Sequence, residues 1–301
     1  MKVALIGAGA VGSYFIKGFG DASNTAEFVV VAEGERNERL KKNGIKINGE
    51  VYRPIVLTPK EAGKCDVIVM AVKGTTLREA VNMLPDMIGE KTVVFSVLNG
   101  VDSEDIIGQK IGRDHVIHSI ILIASRRLPN EVIYDANYPT KVYFGAVDIT
   151  DAEEKMKMVE DAFVGTRINV VRSEDIMYDE WFKYARNITN NLPQAVLGAP
   201  AAMYTRSEHG LFLAEKLWQE VRILAGLEGV KLPEHVQLYS CADSSRYSTL
   251  QDLDNKKRTE VDSLCGYLMK FAEKNDIPVP YLEYTYHAIK ALEEKNEGLF
   301  G

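Results

Sequence analysis

MKVALIGAGAVG, residues Met1–Gly12, is the stretch on which the fold turns. Val3, Ala4, Leu5 and Ile6 form an apolar run without alternation, the pattern of a strand covered on both faces of a parallel sheet. Gly7, Gly9 and Gly12 then spell G-x-G-x-x-G where that strand turns into a helix. The first glycine suits the tight turn, the second lets a pyrophosphate approach the backbone, and the third lets helix and strand pack closely. Ala10 and Val11 open the helix, and Val11, Phe15, Ile16 and Phe19 recur at helical spacing. The free amides and dipole of that first turn face a phosphate. Three glycines alone are a weak signal. A strand before them and an amphipathic helix after them supply the context a dinucleotide site requires.

The following segments extend the same pattern. Glu27–Glu33 (EFVVVAE) reads as a second buried strand ending in an acidic residue. A carboxylate there accepts hydrogen bonds from an unmodified adenosine ribose and repels a 2′-phosphate, so Glu33 favours NAD over NADP. Arg36 works the other way, by pairing with that phosphate. Gly44–Thr58 alternates around Asn48-Gly49, a hairpin signal. Cys65–Val72 reads as another buried strand, with Lys73 at its carboxyl end and Thr75 and Thr76 as candidate helix caps. Leu77–Leu84 reads as helix and Thr92–Val97 as strand, delivering Asn99 to the same edge of the sheet, within reach of a nicotinamide or its ribose. Strands are expected at Val116–Ala124, Glu131–Tyr134, Lys141–Phe144 and Arg167–Val171, partly antiparallel, with a helix over Glu153–Phe163.

Composition narrows the class. The chain has 301 residues, 46% hydrophobic and 26% charged, as in ordinary globular proteins, and is long enough for two cores. Its formal net charge of −7 argues against nucleic acid or an anionic membrane as partner. No apolar run approaches a bilayer span, and the first residues read as a strand without a basic leader, so the expected location is cytoplasmic. Cys65, Cys241 and Cys265 are scattered and suit a reducing compartment. None has metal-ligand spacing with the five histidines, so no metal is expected.

After about Ser173 helical periodicity takes over, at Ile176–Leu192, Leu211–Glu228, Glu234–Ala242, Lys256–Asn275 and Tyr281–Glu294. The reading is an α/β Rossmann-like domain with a parallel sheet, residues 1–172, and an all-helical domain, residues 173–301, with the catalytic cleft expected between them. Within WFKYARNITNN, Trp181–Asn191, the residues Lys183, Asn187 and Asn191 share one helical face. A 2-keto acid needs such a set: a proton donor for the ketone oxygen and neutral donors for the carboxylate. A second group is Ser248–Asp252 with Arg258-Thr259-Glu260. Here Glu260 either meets a substrate hydroxyl or the lysine, or serves a helix dipole.

These pieces resemble the ketopantoate reductase (2-dehydropantoate 2-reductase) family through essentially the whole chain. The G-A-G-A-V-G, V-K-G at Val72–Gly74 and L-N-G at Leu98–Gly100 are similar to its cofactor-side motifs. W-x-K-x-x-x-N-x-x-x-N at Trp181–Asn191 is similar to its substrate helix, and S-x-L-Q-D at Ser248–Asp252 with R-x-E to its most particular signature. The resemblance implies Lys183 as catalytic acid/base, Glu260 as its carboxylate partner on the substrate hydroxyl, and Asn187, Asn191 and Ser248 as substrate ligands. It places Lys73 and Asn99 near the nicotinamide. Two departures stand out. NADP-using members usually carry an arginine near the position of Glu33, and an asparagine common three residues before the signature serine is Ser245 here. The implied reaction is reduction of ketopantoate to pantoate, on the way to pantothenate and coenzyme A, with a homodimer compatible with it. The rivals are a dehydrogenase of the same architecture acting on another small 2-hydroxy acid, and a non-catalytic dinucleotide sensor.

Overall fold

The computed structural model describes residues 1–23, 26–135 and 137–300. Its strands are β1 (Lys2–Ile6), β2 (Glu27–Val31), β3 (Ile45–Ile47), β4 (Glu50–Tyr52), β5 (Ile55–Leu57) and β6 (Cys65–Met70). They continue as β7 (Ile88–Ser96), β8 (Val116–Leu122), β9 (Ser125–Arg127), β10 (Val132–Tyr134), β11 (Lys141–Gly145) and β12 (Val170–Arg172). An eight-stranded sheet runs β12-β11-β8-β7-β6-β1-β2-β5. Its neighbours from β5 to β8 are parallel, and β11 turns antiparallel against β8. Strand order reverses at β1, so β2 lies on one side of it and β6 on the other. This is the switch point where ligands gather in open α/β sheets.

The continuous apolar runs now have a physical reason. Val3, Leu5 and Phe95 face one core with Phe15 and Phe163, whereas Ala4, Ile6 and Val94 face another with Leu77 and Ile107. Alternate side chains of one strand enter opposite cores, so these runs are apolar without alternation.

A four-stranded sheet, β4-β3-β10-β9, lies in the same unit. Its β3–β4 hairpin turns at Asn48 and Gly49, both at positive φ (45° and 89°), the conformation Asn-Gly favours. The Asn48 side chain also donates to the Tyr134 carbonyl and accepts from its N–H, both at 3.0 Å, which fastens β10 beside the hairpin.

Residues 1–98 with 102–176 form one compact unit, and 99–101 with 177–301 the other. The second is helical, with Ile176–Leu197, Glu208–Leu227 and Pro280–Asn296 as its long helices. Trp181, Tyr184 and Trp218 are fully buried at its centre with Leu192, Val221 and Leu268. Among the described residues no helix is long and apolar enough to cross a membrane.

Several local expectations need correction. The helix after β6, Gly74–Ala80, starts from Lys73, not from a threonine cap; Thr76 lies within it and its hydroxyl donates back to the Lys73 carbonyl. The segment Glu234–Ala242 is not helical. The Gln237 and Leu238 carbonyls are taken by Arg186, and Asn190 also reaches Gln237, so these groups find partners outside their own chain segment. Ile176–Leu197 continues through Pro193, held by the buried Leu192 and Ala195 on either side. The expected helix from Lys256 begins later. A short helix, Ser248–Asp254, ends first, and Lys256 follows in the left-handed region at φ 54°.

Candidate functional site

The dinucleotide end is built by the first unit. Gly7 sits at φ +109°, and a Cβ there would meet the Ala71 carbonyl at 2.5 Å. A Cβ on Gly12 would collide with the Gly7 carbonyl oxygen, whereas one on Gly9 would have nothing within 4 Å. The three glycines thus divide their work: one bends, one packs, and one leaves an open face beside the turn. The helix that follows, Gly12–Gly20, has no side-chain cap on its first amides. These features fit a dinucleotide pyrophosphate.

Beside the turn lies a cleft of about 160 Å³ whose lining includes Gly7, Ala8, Ala32, Glu33, Arg36 and Thr76. Glu33 is exposed and in extended conformation, the residue from which the Gly34–Asn43 helix starts. Lys73 likewise precedes its helix and is exposed. Sequence reasoning missed a contributor here. Arg127, on β9, donates from Nη1 to the Ala8 carbonyl at 3.1 Å. Arg36 and Arg127 expose much of their area, yet their guanidinium groups are crowded by protein. That desolvation comes first in holding both below the ordinary arginine pKa; repulsion from Arg39 adds to it for each, and from Arg36 for Arg127. Among the described residues none of the three arginines has a carboxylate in an ion pair. Only the tertiary pairing of a three-residue strand brings Arg127 here, and no local pattern announces that.

The second unit carries the other named residues. Lys183, Asn187 and Asn191 stand at i, i+4 and i+8 on the Ile176–Leu197 helix. Lys183 and Asn187 are half-buried and Asn191 is buried. Asn191 Nδ2 donates to Ser248 Oγ at 3.4 Å, so two residues distant in sequence meet. Asn187 Oδ1 accepts from the Tyr239 hydroxyl at 2.9 Å. Asn99 Nδ2 donates to Glu260 Oε2 at 3.3 Å. Buried Gln194, one turn beyond Asn190, accepts from the Tyr247 N–H at 3.1 Å and donates to the Ser245 carbonyl at 3.3 Å. It thereby fixes the chain entering Ser248. Tyr239 and Gln194 were not legible as partners, because the helical spacing of Glu234–Ala242 points to a helix that does not form.

Glu260 is held by its surroundings. Its carbonyl accepts from the Leu264 N–H at 2.9 Å, while its carboxylate reaches Asn99. Just before it, the Thr259 N–H and hydroxyl both donate to buried Glu293, at 2.6 and 2.7 Å. Just after it, Asp262–Gly266 is a π-helical turn, a feature frequent at functional sites. The Tyr184 hydroxyl supplies an outside partner there, donating to the Leu264 carbonyl at 2.6 Å. Glu293→Ala is expected to cost about 1–3 kcal/mol, because it strands the buried Thr259 N–H. A fall in the urea midpoint at unchanged m-value checks this; an unchanged midpoint removes Glu293 from the role.

A sheet with its glycine turn at the switch point, followed by a helical unit bearing a lysine–amide face, defines a Rossmann-type two-part protein. The family models described as Ketopantoate reductase PanE/ApbA and Ketopantoate reductase PanE/ApbA C terminal match residues 3–148 and 175–293. The chain belongs to the ketopantoate reductase family and is an oxidoreductase. An uncharacterized oxidoreductase, YkpB of Bacillus subtilis, is 25% identical, covering 97% of this chain and 99% of that one. The 2-dehydropantoate 2-reductase of Nostoc is 23% identical over 98% and 96% of the two chains. Among solved structures, D-mandelate dehydrogenase with NADH and anilino(oxo)acetate superposes with TM-score 0.84 at 20% identity, covering 99% of both chains. A PanE/ApbA family ketopantoate reductase from Ralstonia eutropha gives TM-score 0.79 at 21% identity over 99% and 100%. These two likenesses establish the fold.

Proposed function

We propose that this protein reduces a small 2-keto acid to the 2-hydroxy acid with a nicotinamide dinucleotide, and that the acid is ketopantoate. The observation that carries the reading is the lysine–amide face of one helix: Lys183, Asn187 and Asn191, with Asn191 joined to Ser248. The glycine turn, from Gly7 through Ala10 and Val11 to Gly12, holds the pyrophosphate. The nicotinamide, when bound, supplies the hydride for the ketone carbon. Lys183 Nζ gives the proton to the oxygen that becomes negative as that hydride arrives. Asn191 and Ser248 bind the carboxylate end as neutral donors, Asn187 presents an amide donor, and Glu260 accepts from the hydroxyl of the substrate. The Asn99–Glu260 hydrogen bond keeps that carboxylate in one position. NADH and NADPH oxidation, measured with ketopantoate beside pyruvate and phenylglyoxylate, tests the reading. Turnover of none of the three defeats it. Preference for another acid selects the second reading, a same-fold 2-hydroxy-acid dehydrogenase, which Ser245 in place of the family's usual asparagine favours.

On the cofactor we propose NADPH, against the weight that Glu33 alone carries for NADH. Arg36 lines the cleft that Glu33 and Ala8 share, and Arg127 is fastened to Ala8. Three guanidiniums outweigh one carboxylate as hosts for a doubly charged 2′-phosphate, and planar forks suit it. Adenosine 2′,5′-bisphosphate is expected to bind at least about tenfold tighter than 5′-AMP by titration calorimetry, a single charged contact being enough for that factor. Arg127→Gln and Arg39→Gln should each erase most of that ratio. Equal affinities in the wild type would return the choice to Glu33 and NADH.

A further inference from the structure

The strongest unassigned feature of the helical unit is Tyr239. It lies in the non-helical stretch between the Glu208–Leu227 and Ser248–Asp254 helices, held by contacts of its backbone, ring and hydroxyl. Its N–H donates to Asn190 Oδ1 at 2.9 Å. Its ring lies under the Arg186 guanidinium, 4.0 Å from the centroid, and that arginine is itself anchored on the Gln237 and Leu238 carbonyls. Its edge meets Tyr247, with centroids 5.5 Å apart. Its hydroxyl donates to Asn187 Oδ1 at 2.9 Å.

That last contact has a chemical consequence. A carboxamide offers an acceptor at one end and two donors at the other, and the two ends look alike in shape. In the structure it is Oδ1 that lies toward Tyr239, which makes the hydroxyl the donor of this bond. With Oδ1 turned to Tyr239, Nδ2 lies on the opposite side of the amide. The carboxylate and ketone of a 2-keto acid present only acceptors, so toward these groups only the Nδ2 end is of use. We infer that Tyr239 is a positioning residue for substrate: through its hydroxyl it fixes the Asn187 amide with Nδ2 as the substrate-facing donor. The inference rests on the proposed 2-keto acid reading of Asn187.

Restricting an amide to one of two orientations acts on binding of substrate and transition state alike, so its loss appears chiefly in KM. Tyr239→Phe keeps the ring, the Arg186 stack and the backbone bond to Asn190, and removes the hydroxyl alone. It is expected to raise KM for the 2-keto acid by at least about twofold, the factor lost when the freed amide spends half its time turned the wrong way, with kcat unchanged. Affinity for 5′-AMP and the thermal midpoint should stay at wild-type values. In a double-mutant cycle, Tyr239→Phe added to Asn187→Ala should change KM no further, because the two act as one unit. An unchanged KM in Tyr239→Phe, or an additive double mutant, overturns the inference. So does a lowered thermal midpoint with wild-type KM, the result of a purely structural role. If wild type turns over no 2-keto acid, the functional reading fails and this inference with it. Wild-type turnover with an unaffected Tyr239→Phe defeats the inference alone.

Discussion

Lys183→Ala is expected to lower kcat by about 10²–10⁴, the usual contribution of one positioned proton donor. KM should move little and 5′-AMP affinity not at all. Lys183 is half-buried on a helix whose neighbouring Tyr184 and Ala185 lie in the core, so the backbone that carries it cannot drift. Truncation removes the ammonium and leaves that scaffold in place. In the proposed reaction, the oxygen made negative by reduction must then take its proton from water, without a group held at the right point. Single-turnover measurements with saturating cofactor isolate this step. A variant with near wild-type kcat would show that the proton comes from elsewhere. Lys183→Arg adds a useful contrast, because it keeps the charge while holding its proton far more tightly.

The second large effect separates two glycines of one motif. Gly12→Val is expected to lose about 1–3 kcal/mol of stability, because its Cβ would occupy the space of the Gly7 carbonyl oxygen. Gly9→Ala should leave the thermal midpoint unchanged, because its Cβ would meet nothing within 4 Å. It should nonetheless weaken ADP by more than about tenfold, since in the proposed binding mode the methyl group fills the space the pyrophosphate takes. Melting curves and ADP titrations of the two variants together check this. Gly9→Ala with wild-type ADP affinity would mean that the open face of the turn is not where the phosphates lie.

The first half of the fold was legible because its signals are local. A strand buried on both faces of a parallel sheet runs apolar, as Val3–Ile6 and Val67–Met70 do, and the Gly7–Gly12 turn follows the first of them. Asn48-Gly49 announced its hairpin for the same reason. The helical half was legible where one face of a long helix repeats, as in Ile176–Leu197. It was not legible between Glu234 and Tyr247. There the backbone is held by side chains from another element, Arg186, Asn190 and Gln194, so the chain's own periodicity carries no information. The site divides the same way. That Lys183, Asn187 and Asn191 share one helix could be read from spacing, and Asn191 is seen to meet Ser248. Tyr239, Glu293 and Arg127 could not, since each reaches its partner only through tertiary packing.

Both tryptophans of the chain, Trp181 and Trp218, are buried in the helical unit, at 2% and 0% exposure. Intrinsic emission excited selectively at indole therefore watches only that unit. Melting of the sheet-bearing half, with its tyrosines and phenylalanines, passes unseen by this probe and is visible to circular dichroism. A mismatch between the two optical transitions would register loss of cooperativity between the halves without any label being attached.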